Sequence, residues 1–300
     1  MINNIFNKNK EFLSPNILLT NMCNQQCMYC FAKEEMSKSK IKEMSIKNFE
    51  KVTFWLRKNK IKTLRLMGGE PTLHHNFDKI IKIALNRFNH ILIFTNGVIP
   101  EKNKKIILKN IKKISFNFNI DTPGFKTSKK QRKEILNNIN QFSKITNVNI
   151  GFTLSDINRD YKKILKDFNK KDIQRLGMRF GIAKPVFGEK SFFSQKDYPF
   201  LGTKIVELVK YFKKMGIKDT YIDCGLQKSM FTKADILFLN KNSLFNAWGC
   251  EGKWSSFDIT PDLRIFPCFP YFKNSTTKLD LSKNLIQISK ELRKNTVNCT

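Results

Sequence analysis

No uninterrupted apolar run in the 300-residue chain approaches the roughly 18 to 20 residues that a membrane-spanning helix needs. The opening stretch, MINNIFNKNKEF, lacks the apolar segment of a secretory signal. These absences argue against membrane and exported proteins, and a cytoplasmic protein with no membrane partner is expected. No block of five or six like charges stands out either, and there is no internal repeat or low-complexity tract. The formal net charge of +30 therefore comes from lysines scattered along the whole chain among many Asn, Ile and Phe. Such a pattern is a residue bias rather than a basic arm, so nucleic acid is not expected as a partner, while an acidic peptide or nucleotide substrate stays open. Finally, there is no cysteine between Cys30 and Cys224.

A hydrophobic fraction of 41% can build a substantial core in a chain of this length. Strand-like runs at 17–20, 64–67, 90–95, 112–120, 147–154 and 176–183 alternate with helical periodicity at 45–56, 76–88, 102–111, 128–143 and 160–170. In the clearest helix, Phe77, Ile80, Ile81, Ala84, Leu85 and Phe88 follow one face, and Ser45 is placed to cap the helix before it. The alternation implies a parallel α/β sheet, either doubly wound or a barrel, with function at the carboxyl ends of the strands. A further helix is expected near 196–214, then an irregular aromatic-rich segment. A boundary near 215 divides the chain into 1–215 and 216–300.

Seven cysteines in a large chain without an export signal point to thiolate ligands rather than disulfides. Three of them fall in CNQQCMYC, Cys23 to Cys30, in the connection after the first strand. A C-x3-C-x2-C run is compatible with part of a zinc site, with three unrelated thiols, or with a four-iron cubane whose fourth iron is left open. The segment LLTNMCNQQCMYCFA resembles the cluster loop of the radical S-adenosylmethionine (radical SAM) superfamily, with Tyr29 as the aromatic before the last cysteine. That resemblance implies a partial (β/α)6 TIM-like barrel over roughly 13–190. It also implies a [4Fe-4S] cluster on Cys23, Cys27 and Cys30, S-adenosyl-L-methionine on the open iron, Tyr29 near the adenine, and an electron donor such as flavodoxin or ferredoxin.

Further matches sit at later strand ends. In MGGEPTLH, residues 67–74, the resemblance runs the backbone of Gly68 and Gly69 along the methionyl group, with Glu70 orienting the glycines or the amine and Pro71 fixing the exit. His74 and His75, adjacent after a turn, read as surface or supporting residues rather than metal ligands. Asn96 in FTNG is a candidate polar contact, and Asn117, Asn119 and Asp121 are candidates near the ribose. Arg179 and Lys184 are candidates for the cofactor carboxylate, a weak signal among 55 Lys and Arg.

Cys224, Cys250, Cys268 and Cys299 form a second set in the last quarter of the chain. Four thiolates can close a second cluster or a zinc site, and the alternative is four buried or idle cysteines. The stretch CEGKWSSFDITPDLRIFPC resembles the start of SPASM and twitch extensions, with Pro261-Asp262 turning a hairpin that brings Cys250 towards Cys268. Leu263 replaces the usual turn glycine, and the cysteine-dense tail of a full SPASM domain is missing. A single auxiliary iron-sulfur cluster on Cys250, Cys268, Cys299 and Cys224 is expected, in a small C-terminal β-hairpin extension.

The resemblance implies reductive cleavage of S-adenosylmethionine to a 5′-deoxyadenosyl radical that abstracts hydrogen from a peptide or protein side chain. The enzymatic alternative is a small-molecule radical dehydrogenase or a cyclase of cofactor synthesis. The alternative of another class is a non-catalytic iron-sulfur or zinc protein that binds nucleic acid.

Overall fold

The computed structural model describes residues 15–125, 127–183, 192–223, 226–245, 257–268 and 276–294. Its centre is one eleven-stranded sheet, and the order of its strands fixes its shape. Strands β1 (Asn16–Leu18), β2 (Thr63–Met67), β3 (His90–Thr95), β4 (Ile114–Asn119), β5 (Val148–Leu154), β6 (Leu176–Ile182), β7 (Thr220–Ile222) and β8 (Leu244–Phe245) lie side by side in chain order. Each is parallel to its neighbour. A doubly wound sheet reverses its strand order; here every crossover steps the same way, so right-handed connections put the helices on one face and curl the sheet away from them. Among the described residues β8 does not pair with the far edge, and the barrel stays open.

The first-half helices are α1 (Lys33–Lys38), α2 (Ile46–Lys58), α3 (Phe77–Arg87), α4 (Glu101–Lys109) and α5 (Lys129–Ser143). Ser45 caps α2 by accepting from the Asn48 amide, and Ser128 with Gln131 forms a capping box on α5. Their apolar faces, Phe49, Val52 and Leu56 on α2 and Ile80, Ile81 and Ala84 on α3, bury against Leu64, Leu66, Ile91 and Ile93 of the sheet. The alternate strand residues, among them Arg65, Phe94 and Arg179, line the opposite, concave face and are only half-buried.

The predicted helix at 160–170 is instead a 3-10 turn (Tyr161–Leu165) followed by the one-turn α6 (Lys170–Ile173). Asp160 and Asn169 each bond a backbone amide through the side chain, and Asn169 starts a new helix where the old one would have continued. Helix α7 (Tyr198–Met215) ends on Gly216 with φ +82°, followed by α8 (Lys233–Asn242). The sequence pattern gave no sign of α1, β7, α8 or β8. No described helix is long and apolar enough to cross a membrane.

Past the position predicted as a boundary, the chain keeps extending the same sheet. It adds β7 and β8 at one edge, then returns to the other, where β9 (Asp258–Ile259) pairs parallel with β1. β10 (Arg264–Phe266) and β11 (Thr277–Lys278) follow antiparallel, and α9 (Leu285–Lys294) closes the described chain. The β9–β10 hairpin turns at Pro261 and Asp262 as expected, and Leu263 takes the left-handed conformation, φ +63°, of the glycine it replaces. Cys224, Cys250 and Cys299 lie outside the described residues, as does Lys184.

Candidate active site

The loop from Cys23 to Cys30 leaves β1 at its carboxyl end and is stitched to the end of β2. The Gly69 amide donates to the Thr20 carbonyl at 2.7 Å, and the Glu70 amide to the Met22 carbonyl at 2.8 Å. Such closeness leaves no room for side chains. A Cβ on Gly68, whose φ is +151°, would stand 2.4 Å from the Thr20 oxygen, and one on Gly69 would stand 2.2 Å from the Met22 oxygen. The two glycines thus let the cysteine loop and the β2 end touch, a role that the sequence had not indicated.

Glu70 is the knot between strand ends. Its buried carboxylate accepts from the Thr72 amide (3.1 Å) and hydroxyl (2.6 Å), the Thr95 hydroxyl (3.0 Å) and the Asn96 amide (2.7 Å). Burial raises its pKa while these donors oppose the shift. With its acceptor positions filled from within the chain, Glu70 holds the loops together. Asn96, fixed in this way, donates to Asn24 Oδ1 at 2.7 Å and to Cys23 Sγ at 3.6 Å. The Gln25 amide also donates to Cys23 Sγ, at 3.4 Å.

Tyr29 turns into the protein and donates its hydroxyl to Asp121 Oδ2 at 2.7 Å. Burial first, and then the Asp121 charge, hold the phenol well above its ordinary pKa. The other Asp121 oxygen accepts from the Thr122 amide at 2.8 Å and faces Arg159 at 3.4 Å. Asp121 therefore anchors Tyr29. The Tyr29 and Phe125 rings lie nearly parallel with centroids 6.5 Å apart, and the Arg159 guanidinium lies 3.2 Å over Phe125. Neither Phe125 nor Arg159 was singled out in the sequence, because their importance comes from contacts with residues far away in the chain.

Asn117 lies on the concave face and accepts from Asn149 at 2.9 Å; Asn119, at the strand end, is exposed. Arg179 is occupied by Asp223, with nitrogen-to-oxygen distances of 3.0 and 2.9 Å. Arg65 and Arg179 both stand 5.2 Å from the Phe94 ring, one from β2 and one from β6, so two guanidiniums converge across the half-barrel. Burial and the proximity of Arg179 lower the Arg65 pKa to about 10, which leaves it charged at neutral pH.

His74 is buried, bonded to the Met44 carbonyl at 2.9 Å, and kept below its usual pKa by burial. His75 is exposed and pairs with Glu43. Among the described residues, Glu43, His74 and His75 form the one group of three potential metal-ligand atoms within 4.8 Å of one another. Both His74 nitrogens are already bonded, Nδ1 accepting from the Asn76 amide at 3.1 Å.

The loop thiols fit a cluster better than a single ion. Cys23, Cys27 and Cys30 are all half-buried, yet they do not come within that 4.8 Å span, whereas sulfurs around one zinc stand about 3.8 Å apart at a zinc-sulfur distance of about 2.3 Å. Gln25, between the first two, buries a side-chain nitrogen that has no hydrogen-bond partner among the described residues, the mark of a group awaiting a ligand. Cys268 is half-buried two residues beyond β10.

Comparison with known proteins agrees with this geometry. AlbA, the antilisterial bacteriocin subtilosin biosynthesis protein of Bacillus subtilis, is 30% identical over 105 residues, which cover 35% of this chain and 23% of AlbA. A GTP 3′,8-cyclase of Clostridium acetobutylicum is 30% identical over 132 residues, covering 43% of this chain and 39% of the cyclase. The matched stretches thus span less than two fifths of either relative. In structure, Streptococcus suis SuiB bound to its precursor peptide SuiA superposes with a TM-score of 0.69 at 18% identity, over 93% of this chain and 65% of SuiB, which establishes a common fold. The Radical SAM superfamily model matches residues 17–168, about half of the chain and the span from β1 through β5 that carries the cysteine loop, Gly68–Glu70, Asn96 and Asp121, and the protein belongs to the radical SAM superfamily.

Proposed function

We propose that this enzyme modifies a peptide or protein side chain by radical chemistry, with its cluster on Cys23, Cys27 and Cys30. Superfamily membership implies a [4Fe-4S] cluster and S-adenosylmethionine. When bound, the cluster supplies the electron that cleaves S-adenosylmethionine, and the resulting 5′-deoxyadenosyl radical takes a hydrogen atom from the substrate. The observation that carries this reading is the placement of three half-buried thiols in one loop, with two N–H donors to Cys23 and the Gly68–Glu70 turn beside it, at the carboxyl ends of β1 to β3.

The chain's own residues do the positioning. Asn96 and the Gln25 backbone hold Cys23 while Glu70 locks the turn. Tyr29, anchored by Asp121, walls the cofactor side, and the concave face with Arg65, Phe94 and Arg179 receives the substrate. A peptide substrate is supported by AlbA, a bacteriocin biosynthesis protein, and by SuiB, which was crystallised with a precursor peptide. The GTP 3′,8-cyclase match favours the second reading, a cyclase of cofactor synthesis. We assign the 216–300 segment to a SPASM- or twitch-like auxiliary iron-sulfur cluster on Cys268, Cys250, Cys299 and Cys224, with a flavodoxin or ferredoxin as electron donor and a cytoplasmic setting.

The test is anaerobic reconstitution with iron and sulfide, followed by dithionite and S-adenosylmethionine with chromatography for 5′-deoxyadenosine. About eight irons per chain are expected, and nucleoside is formed. Cys27→Ala abolishes the nucleoside; a normal yield from that variant sinks the site assignment. A supplied precursor peptide that gains no mass change, against GTP that is consumed, favours the cyclase reading.

A further inference from the structure

We propose that Gln25 positions and tunes the cluster. Its side-chain amide donates an N–H···S hydrogen bond to the iron-bound sulfur of Cys27 and raises the potential at which the cluster accepts its electron. The proposal rests on the cluster being held by Cys23, Cys27 and Cys30.

The loop gives an unusual placement to this residue. Asn24 and Gln26 on either side are exposed, whereas Gln25 is only 9% exposed. Burying a carboxamide without partners forfeits its hydrogen bonds to water, so a solvent-facing loop that turns one inward needs a compensating contact. Gln25 meets two of the three thiols. Its backbone N–H donates to Cys23 Sγ at 3.4 Å, and its side-chain oxygen lies 4.0 Å from Cys27 Sγ, where the thiol is the donor. The side-chain nitrogen has no partner among the described residues.

Ligation reverses that polarity. Once iron takes the place of the thiol proton, Cys27 offers only lone pairs, and an oxygen facing it is repelled. A half-turn of the carboxamide exchanges oxygen for nitrogen at almost no change in shape. The buried nitrogen then acquires its acceptor, and the sulfur gains a donor. Asn96 already presents the same group to Cys23 at 3.6 Å. Two carboxamides, one from the cysteine loop and one from the end of β3, would each cover one sulfur ligand. Donors to cluster sulfurs stabilise the more negative, reduced state and so move its potential upward.

The experiment is an electron-paramagnetic-resonance redox titration of the full reconstituted chain, comparing wild type with Gln25→Leu and Gln25→Glu. Gln25→Leu is expected to load the same iron but to be harder to reduce by about tenfold in the equilibrium constant, or ~59 mV for one electron. Gln25→Glu, which places an acceptor and a charge there, is expected to shift at least as far. An unchanged midpoint in a cluster-loaded Gln25→Leu chain overturns the proposal and leaves the cluster assignment standing. A wild-type chain that takes up no cluster overturns both. If the variants lose the cluster, a Gln26→Ala chain containing glutamine labelled with 15N at the side-chain amide decides the matter: a 15N hyperfine coupling to the reduced cluster supports the bond, and its absence overturns it.

Discussion

Glu70 shows how one side chain can tie two strand ends together. Its carboxylate receives the backbone amides of Thr72 and Asn96 and two hydroxyls, all of them buried. Glu70→Gln keeps the shape but turns one acceptor into a donor facing an N–H. At least one buried amide then loses its partner, and the expected loss of stability is about 1–3 kcal/mol in urea unfolding. Wild-type stability in that variant would show that Glu70 is not the knot. The motif around Glu70 was legible because its residue types and its position after a strand are local features. Gln25, Thr95 and Arg159 were not, since each acquires its role only from a partner that folding delivers.

At the level of elements, helices and strands with strong periodicity were legible to within a few residues. α3 is defined by Phe77, Ile80, Ile81 and Ala84, and β3 spans the expected 90–95. Legibility failed where side-chain caps interrupt a pattern, as Asn169 does before α6, and in strands of two or three residues such as β7 and β8, which are too short to show alternation. Helix α7 illustrates a contact that no pattern reveals. A Cβ on Gly202 would stand 1.8 Å from the Met230 carbonyl oxygen, so this helix packs directly onto the turn at Lys228–Met230. Gly202→Ala must push the two apart, and a loss of about 1–3 kcal/mol in thermal or urea unfolding is expected. In the C-terminal hairpin, the proposed ligand role is separable from the fold: Cys250→Ala with Cys268→Ala is expected to lower iron to about four per chain. Unchanged iron would refute the auxiliary cluster.

Across the whole molecule, the chain returns from the β8 edge to the β1 edge, so that strands late in the sequence neighbour the first. β9 pairs with β1, and there Asp258 is buried, accepting from Asn16 at 2.5 Å and lying near Arg65 of β2. Burial dominates over these partners and raises the Asp258 pKa from 3.8 to about 6. Between those two values the native chain keeps a proton that the unfolded chain has released. The stabilisation linked to that proton is complete below about pH 4 and is lost as the pH rises through about 6. At about 1.4 kcal/mol per pKa unit, the change is about 3 kcal/mol. Asp258→Asn keeps an uncharged side chain that can still accept from Asn16, so this dependence disappears from the variant. Urea unfolding of both chains at several values between pH 4 and pH 7 checks it, because contributions from all other titrating groups cancel in the difference. The variant is expected to gain on the wild type by about 3 kcal/mol over that range, with most of the gain between pH 4 and 6. Parallel profiles would mean that Asp258 is charged in the native sheet at every pH tested, and that Arg65, rather than burial, controls the seam between the first and last strands.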